Sequence, residues 1–371
     1  NKRFPALISA IVLLLAISAC TNGLAPAAAP SPSPLSSPIP SSSPLPPPSP
    51  SQAPGRIYLY GEAHGVKTIL DKEFELWREY YDKENVRHLF IEYPYYTAEF
   101  LNIWMQSDND DILNELYTDW AGSPSQNPDI KAFYQRIKSE CPETVFHGTD
   151  VGHSYDTTGE RYLKYLKDNG LEDSGQYTLA QEAIEQGKYY IEHSDDVYRE
   201  NKMAENFISE YDKLSGENVM GIYGAGHTEL DGMDFYTGTV PSMANQLKAH
   251  YGDAVQSEDL TWLTNKPVRV DTIDVNGKAY EAPYFGKQYL TWLKEYEFRE
   301  IWRLEEAYDD FKDSPKTGNI LPYDDYPMPI EEGQVFVIDS TKTDGSVIRE
   351  YHLSDGYASK YGPSTEEFTL K

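Results

Sequence analysis

The chain has 371 residues, 32 of them basic and 60 acidic, and a formal net charge of −28 at pH 7. Such an excess of carboxylates opposes nucleic acid or an anionic lipid surface as a partner of the folded part. Two cysteines, Cys20 and Cys141, provide no disulfide framework, so the fold must rest on its apolar content, which includes 30 Tyr, 13 Phe and 6 Trp.

The chain opens NKRFPALISAIVLLLAISAC. Lys2 and Arg3 make a short positive start, and 6–19 is an apolar run. At about 14 residues it is too short to cross a bilayer, which needs about 20, but it suits the core of a signal peptide. Ile17-Ser18-Ala19-Cys20 resembles the lipobox of bacterial lipoproteins. That resemblance implies removal of 1–19 as a signal peptide and lipidation of Cys20. The protein is then expected at the extracytoplasmic face of the cell membrane, with the lipid bilayer as a partner through the acyl chain. Residues 25–54 are almost entirely Pro, Ser and Ala. Such a stretch stays extended at about 3.1 Å per residue, so it spans on the order of 90 Å. Segment 20–54 therefore reads as a lipidated cysteine and a linker.

Roughly 317 residues follow, enough for one large domain or a domain with an appendage. The first strand, 56–60, stops at Gly61. A helix is predicted over 66–81, where Ile69, Phe74, Trp77 and Tyr81 fall near helical spacing. A second strand (86–92) and helices over 95–105 and 129–140 precede a third strand at 144–147. Cys141, before Pro142 at a helix end, reads as a buried thiol rather than a nucleophile. Helices are then expected over 158–169, 178–193 and 195–214, a fourth strand over 218–223, and a helix over 240–251. Strands separated by helices imply crossovers, hence an α/β fold with a mainly parallel sheet and helices on both faces, across 55–265. The pattern changes near Pro267. Asn276-Gly277 joins 268–274 to 278–282 as a hairpin. An amphipathic helix is predicted over 288–312, and 335–339 pairs with 346–353 across Thr343-Asp344-Gly345. Segment 266–371 thus reads as an antiparallel β-rich extension.

Two strand exits share one form, Gly61-Glu62-Ala63-His64 and Gly224-Ala225-Gly226-His227. Glu92 ends the second strand, and Asp150 follows the third. Ligands of open α/β sheets bind beyond the carboxyl ends of the strands. Four strands therefore offer Glu and His, Glu, Asp, and His to one edge. Capping of a following helix is an equally good use for Asp150, whereas a carboxylate ending an apolar strand, as Glu92 does, is costly to bury unless paired. His147 lies near the same edge, and the remaining histidines lack comparable context.

The order and placement of these motifs resemble the superfamily that joins the erythromycin esterases, the ChaN-like iron-regulated lipoproteins and the TraB/Tiki proteins. The shared features are a Gly-Glu-x-His or Gly-x-x-His opening, an acidic residue after the second strand, and a late Gly-x-x-His. The stretch Arg199-Glu200-Asn201-Lys202-Met203-Ala204-Glu205-Asn206 is similar to a helix of the esterase-like members. The spacing of Glu62-Ala63-His64 sits closer to the ChaN and TraB/Tiki form. The resemblance implies either a hydrolase or a haem- or iron-binding lipoprotein. Two hydrolytic chemistries stay open on the residues themselves. His64, Glu92 and His227 could hold a divalent metal that activates water, or a His paired with a Glu could act as general base. With neither Gly-x-Ser-x-Gly nor His-Glu-x-x-His present, a serine nucleophile and a zincin-type site are not expected. The expected catalytic group is His64, Glu62, Glu92 and His227, with Arg199 and Asp150 meeting a small-molecule or peptide substrate. Haem binding by Tyr or His, or a non-catalytic binding scaffold, is the alternative.

Overall fold

The computed structural model describes residues 55–290, 293–356, 358–359 and 362–370. The signal segment 1–19, Cys20 and linker 20–54 lie outside the described residues. Among the described residues no helix is long and apolar enough to cross a membrane.

The first part alternates strand and helix. Strand β1 (Ile57–Glu62) leads to α1 (Lys67–Lys83), β2 (His88–Pro94) to α2 (Tyr95–Met105), α3 (Asp111–Asp119) and α4 (Pro128–Glu140), and then comes β3 (Val145–Asp150). Helices α5 (Glu160–Asp168), α6 (Gly175–His193) and α7 (Asp196–Tyr211) precede β4 (Val219–Gly224), α8 (Met243–Tyr251) and β5 (Val255–Asp259). The five strands form one parallel sheet in the order β3-β2-β4-β1-β5. Alternate residues feed two cores. Tyr60, Leu89, Ile91 and Ile222 pack with α1, α2 and α4, while Leu59, Phe90 and Tyr223 pack with α7 and α8. The α/β fold with helices on both faces is therefore as expected. Strand β5 and helix α3 were not foreseen. The exposed face of β5 (Gln256, Glu258 and Asp259) hides the apolar signal of a sheet strand.

The second part is an antiparallel sheet. It contains β6 (Arg269–Val275), β7 (Lys278–Tyr289), β8 (Tyr296–Leu304), the one-turn α9 (Tyr308–Phe311), β9 (Lys316–Pro322), β10 (Gln334–Lys342), β11 (Val347–Ser354), β12 (Ala358–Ser359) and β13 (Gly362–Phe368). Seven strands run in the order β12-β13-β11-β10-β8-β7-β6, and β9 joins through β13. Both expected hairpins form. The helix predicted over 288–312 does not. Strand β8 fills the centre of that range, with Ile301 opposite Ile338 and Trp302 opposite Val337. Its two faces enter two different apolar clusters, one through Trp302 and Leu304 and the other through Ile301. Burial on both faces removes the simple period of two, so the interspersed charges mimic a helical face while sheet packing decides the outcome.

Candidate functional site

Four neighbouring strands, β3, β2, β4 and β1, end at the same rim of the parallel sheet, and each brings an ionisable group to it. Strand β2 pairs with β4 as far as Ile91 opposite Ile222, and its register with β3 breaks between Ile91 and Pro94. That irregularity releases Glu92 from the ladder, and its Oε2 accepts the Gly224 backbone N–H at 2.6 Å. Glycine at 224 leaves room for this approach: a Cβ there would lie 3.0 Å from His64 Nε2 and 3.3 Å from Glu92 Oε2, so both side chains would have to give way. After His64 the chain turns away at Gly65, whose φ of +73° lies in the left-handed region that glycine adopts freely.

The charged groups form three branches that meet at Glu92. Arg199, from α7, donates through Nε to Asp150 Oδ1 at 2.9 Å and through one terminal nitrogen to Asp150 Oδ2 at 2.8 Å and Glu92 Oε1 at 2.6 Å. Its other terminal nitrogen faces His227 Nε2 at 3.5 Å. His227 in turn bonds through Nδ1 to Glu200 Oε2 at 2.5 Å, and its Nε2 lies 3.5 Å from Glu92 Oε1. His64 bonds through Nδ1 to Glu62 Oε1 at 2.7 Å, and its Nε2 lies 4.0 Å from Glu92 Oε2. Glu92 thus sits between both histidines and the guanidinium. Asp150 also accepts from the Val151 N–H and bonds to His153 Nε2 at 2.9 Å. It serves Arg199 rather than capping a helix.

Burial and charge set the protonation states. Burial alone would lower the imidazole of His64, but Glu62 and Glu92 outweigh it and push the group up to about 9. His227 is likewise raised against the effect of burial, by Glu92 and by its bond to Glu200. Burial favours the neutral form of Glu92, yet His227, His64 and Arg199 hold it down at about 2. Asp150 is kept well below the usual carboxylate range, against burial, by Arg199 and His153.

A cavity of about 430 Å³ opens beside this cluster. Glu62, His64 and Glu92 stand at one side, and Tyr93, Trp120 and Phe133 supply apolar wall. Tyr93 stacks on Trp120 with ring centroids 5.0 Å apart. Among the candidate catalytic groups His64, which lines the cavity, is the most open, at 43% exposure against 8% for His227, which lies behind the lining.

All six residues expected at the site, Glu62, His64, Glu92, Asp150, Arg199 and His227, therefore meet there. Two expectations change in detail. Arg199, expected to meet a substrate, is buried and held by two carboxylates, which offset its desolvation. His147 faces away and contacts His88 Nε-to-Nδ1 at 2.8 Å and Glu210. Sequence reasoning missed Glu200, although it adjoins Arg199 in the quoted helix motif, and it missed His153 and Glu73. Cys141 is buried and free, and burial pushes its thiol up to about 11.

The donor set does not suit a divalent ion. Among the described residues no group of three or more His, Cys, Asp or Glu side chains is arranged to hold one. The physical reason is Arg199, whose guanidinium occupies the space between Glu92 and Asp150 that a cation would need.

No family model and no curated protein matches the chain. Solved structures do show a likeness. An erythromycin esterase, a His-to-Asn mutant in an open conformation, has a TM-score of 0.44 and 12% identity over 61% of this chain and 75% of that one. A protein from Bacillus cereus gives 0.40 and 10%, covering 68% of this chain and 78% of that one. ChaN of Campylobacter jejuni, solved with cofacial haem, gives 0.31 and 12%, covering 55% and 80%. Likeness at this level says nothing about chemistry.

Proposed function

We propose that the protein is a hydrolase of ester or amide bonds that works without a metal, using His64 as general base. The observation that carries this reading is one half-exposed imidazole, oriented by Glu62 through Nδ1, with its Nε2 turned toward Glu92 beside an apolar cavity. In the neutral imidazole the Nδ1–H donates to Glu62, which leaves the Nε2 lone pair for a water proton. Water oxygen attacks the carbonyl carbon as its proton passes to Nε2. The C–O or C–N bond then breaks, and the same proton leaves with the alcohol or amine. The negative charge that builds on the carbonyl oxygen has a partner in the terminal nitrogen of Arg199 that no carboxylate engages, and His227 stands behind that nitrogen at 3.5 Å. Asp150 and Glu92 fix the guanidinium, and Glu200 fixes the His227 ring. The apolar wall suits a small-molecule or peptide substrate with an uncharged body at the scissile bond.

We place this activity at the extracytoplasmic face of the membrane, tethered by a lipid on Cys20. Changing Cys20→Ala should move the protein from the membrane to the soluble fraction, and unchanged retention would refute the anchor. For the reaction, the full chain is screened against ester and amide libraries with and without a chelator. Turnover that ignores the chelator and disappears in His64→Ala is expected. Activity that the chelator abolishes, or that persists in both His64→Ala and His227→Ala, would overturn the metal-free scheme.

A further inference from the structure

The cavity lining holds one carboxyl that the hydrolytic scheme does not use. Glu73 lies on α1 among Ile69, Leu70, Phe74 and Trp77, the face that this helix buries against the sheet. It is wholly buried. No N–H or hydroxyl group reaches either of its carboxyl oxygens. A buried carboxylate left this way is costly, and the usual remedies, an Arg, a Lys or backbone N–H groups, are missing. What does act on it is another carboxyl, that of Glu62, which lines the same cavity. Two carboxyl groups in contact are satisfied when they share one proton, one acting as O–H donor and the other as anion.

Which of the two holds the proton follows from their neighbours. Glu62 already accepts from His64 Nδ1 through Oε1 and is partly exposed, so it is the better anion. Glu73 has no cation or N–H group to hold a negative charge. Burial, and then the Glu62 charge, push its carboxyl well above the ordinary range. Tyr134 from α4 and Tyr93 from β2 stand in the same charge environment and are also raised, by burial first, so both stay uncharged. The charged groups beyond Glu62 are His64, Glu92 and Arg199, all on the rim side.

We propose that Glu73 is a positioning residue, a neutral carboxyl that donates its O–H to Glu62 and so fixes the anion that orients His64. The pair makes a relay of orientation from α1 through β1 to the base: Glu73 O–H to Glu62, Glu62 to His64 Nδ1. It also withdraws part of the Glu62 charge from His64, which limits how far the imidazole is raised. The proposal rests on the reading of His64 as the base only for its consequence in catalysis, because the proton-sharing pair stands or falls without substrate.

The test uses the full chain with Glu73→Gln and Glu73→Leu. Gln keeps an uncharged donor of the same shape, and Leu removes it. The infrared spectrum at neutral pH should contain a protonated-carboxyl C=O band that vanishes in Glu73→Gln. The NMR titration midpoint of His64 should stay within a few tenths of a unit in Glu73→Gln and move upward in Glu73→Leu. An ionised Glu73 predicts the opposite pattern: no such band, and a His64 midpoint in Glu73→Gln lowered by about one unit or more, the size of a lost opposite-charge neighbour. That result overturns the proposal. If a substrate is in hand, kcat should fall in Glu73→Leu and be restored by Gln, with the ascending limb of the pH profile, where His64 loses its proton to become the base, following the NMR midpoint. Failure to find any hydrolysis would sink the enzymatic reading and leave the infrared and NMR outcomes intact.

Discussion

The two sheets each bury a histidine close to an arginine, and they treat it in opposite ways. In the antiparallel sheet, His352 is buried on β11, bonded through Nδ1 to Thr365 Oγ1 at 3.0 Å. Burial, and then the Arg299 charge, push it down to about 3. At the rim of the parallel sheet, His227 is almost as buried and also faces an arginine, yet it is raised, because Glu92 and Glu200 stand beside it. Burial lowers an imidazole wherever it occurs; carboxylates decide whether it ends up charged. Parallel strands all end on one side, so four of them deliver their exit residues to one rim. Antiparallel strands send successive ends to opposite sides, and the polar residues of that sheet stay dispersed. The charge-rich pocket follows from topology as much as from composition.

The sharpest way to break this contrast is to remove a histidine from each sheet. His64→Ala should lower hydrolysis by about 10²–10⁴-fold, the usual contribution of a general base, with the fold retained because the side chain is half exposed. His352→Gln should leave kcat/KM at the wild-type level. Comparable losses in both variants, measured on the same ester substrate, would mean that the rim has no special role.

Arg199 supplies the second test. Replacing it with Met strips the counter-charge from Asp150 and Glu92, which are buried at 1% and 11% exposure. Breaking such a pair from one side costs about 3–5 kcal/mol. Urea unfolding of Arg199→Met should show that loss, whereas a cost under about 1 kcal/mol, the range of solvated pairs, would place the cluster in water.

Much of this arrangement was legible in the sequence, and the reason is local. The glycines at 61 and 224, each three residues before a histidine, mark strand exits where the chain turns, so β1 and β4 announced their cargo. Glu92 and Asp150 were found because they follow apolar runs. What stayed hidden depends on tertiary partners. Glu73 sits at a core position of α1 and reads as an ordinary helical charge until Glu62 is seen beside it. Glu200 has no meaning until α7 packs on the sheet and brings it to His227. Strand β8 was misread for the same reason: its charges suggest an exposed helix face until β7 and β10 flank it.

The two histidines also predict stability moving in opposite directions with pH. His64, raised to about 9 in the fold from an ordinary 6.5, contributes stability that is complete below about 6.5 and lost as pH rises through about 9. His352, held down at about 3, is neutral in the fold while the unfolded chain takes up its proton. Its effect therefore starts below about 6.5 and destabilises progressively toward 3. Denaturant midpoints measured from pH 4 to 10 should show that His352→Gln flattens the acid side and His64→Ala the alkaline side. If the assignments were exchanged, the carboxylate argument for His64 would be wrong.

The smallest effect is expected at the ion pair between β10 and β11. Asp339 and Arg349 are register partners, and the guanidinium bonds the carboxylate through Nε at 2.7 Å and a terminal nitrogen at 2.6 Å. The geometry is as good as that of Arg199 with Asp150. What differs is solvent, since the Arg349 side chain is 44% exposed. Water screens the pair and compensates either partner when the other is lost, so a double-mutant cycle with Arg349→Ala and Asp339→Ala should give a coupling of about 0.2–1 kcal/mol. Hydrolysis should not change. A coupling near that expected of the buried pair would show that bidentate geometry, and not burial between strand ends, is what makes the rim cluster strong.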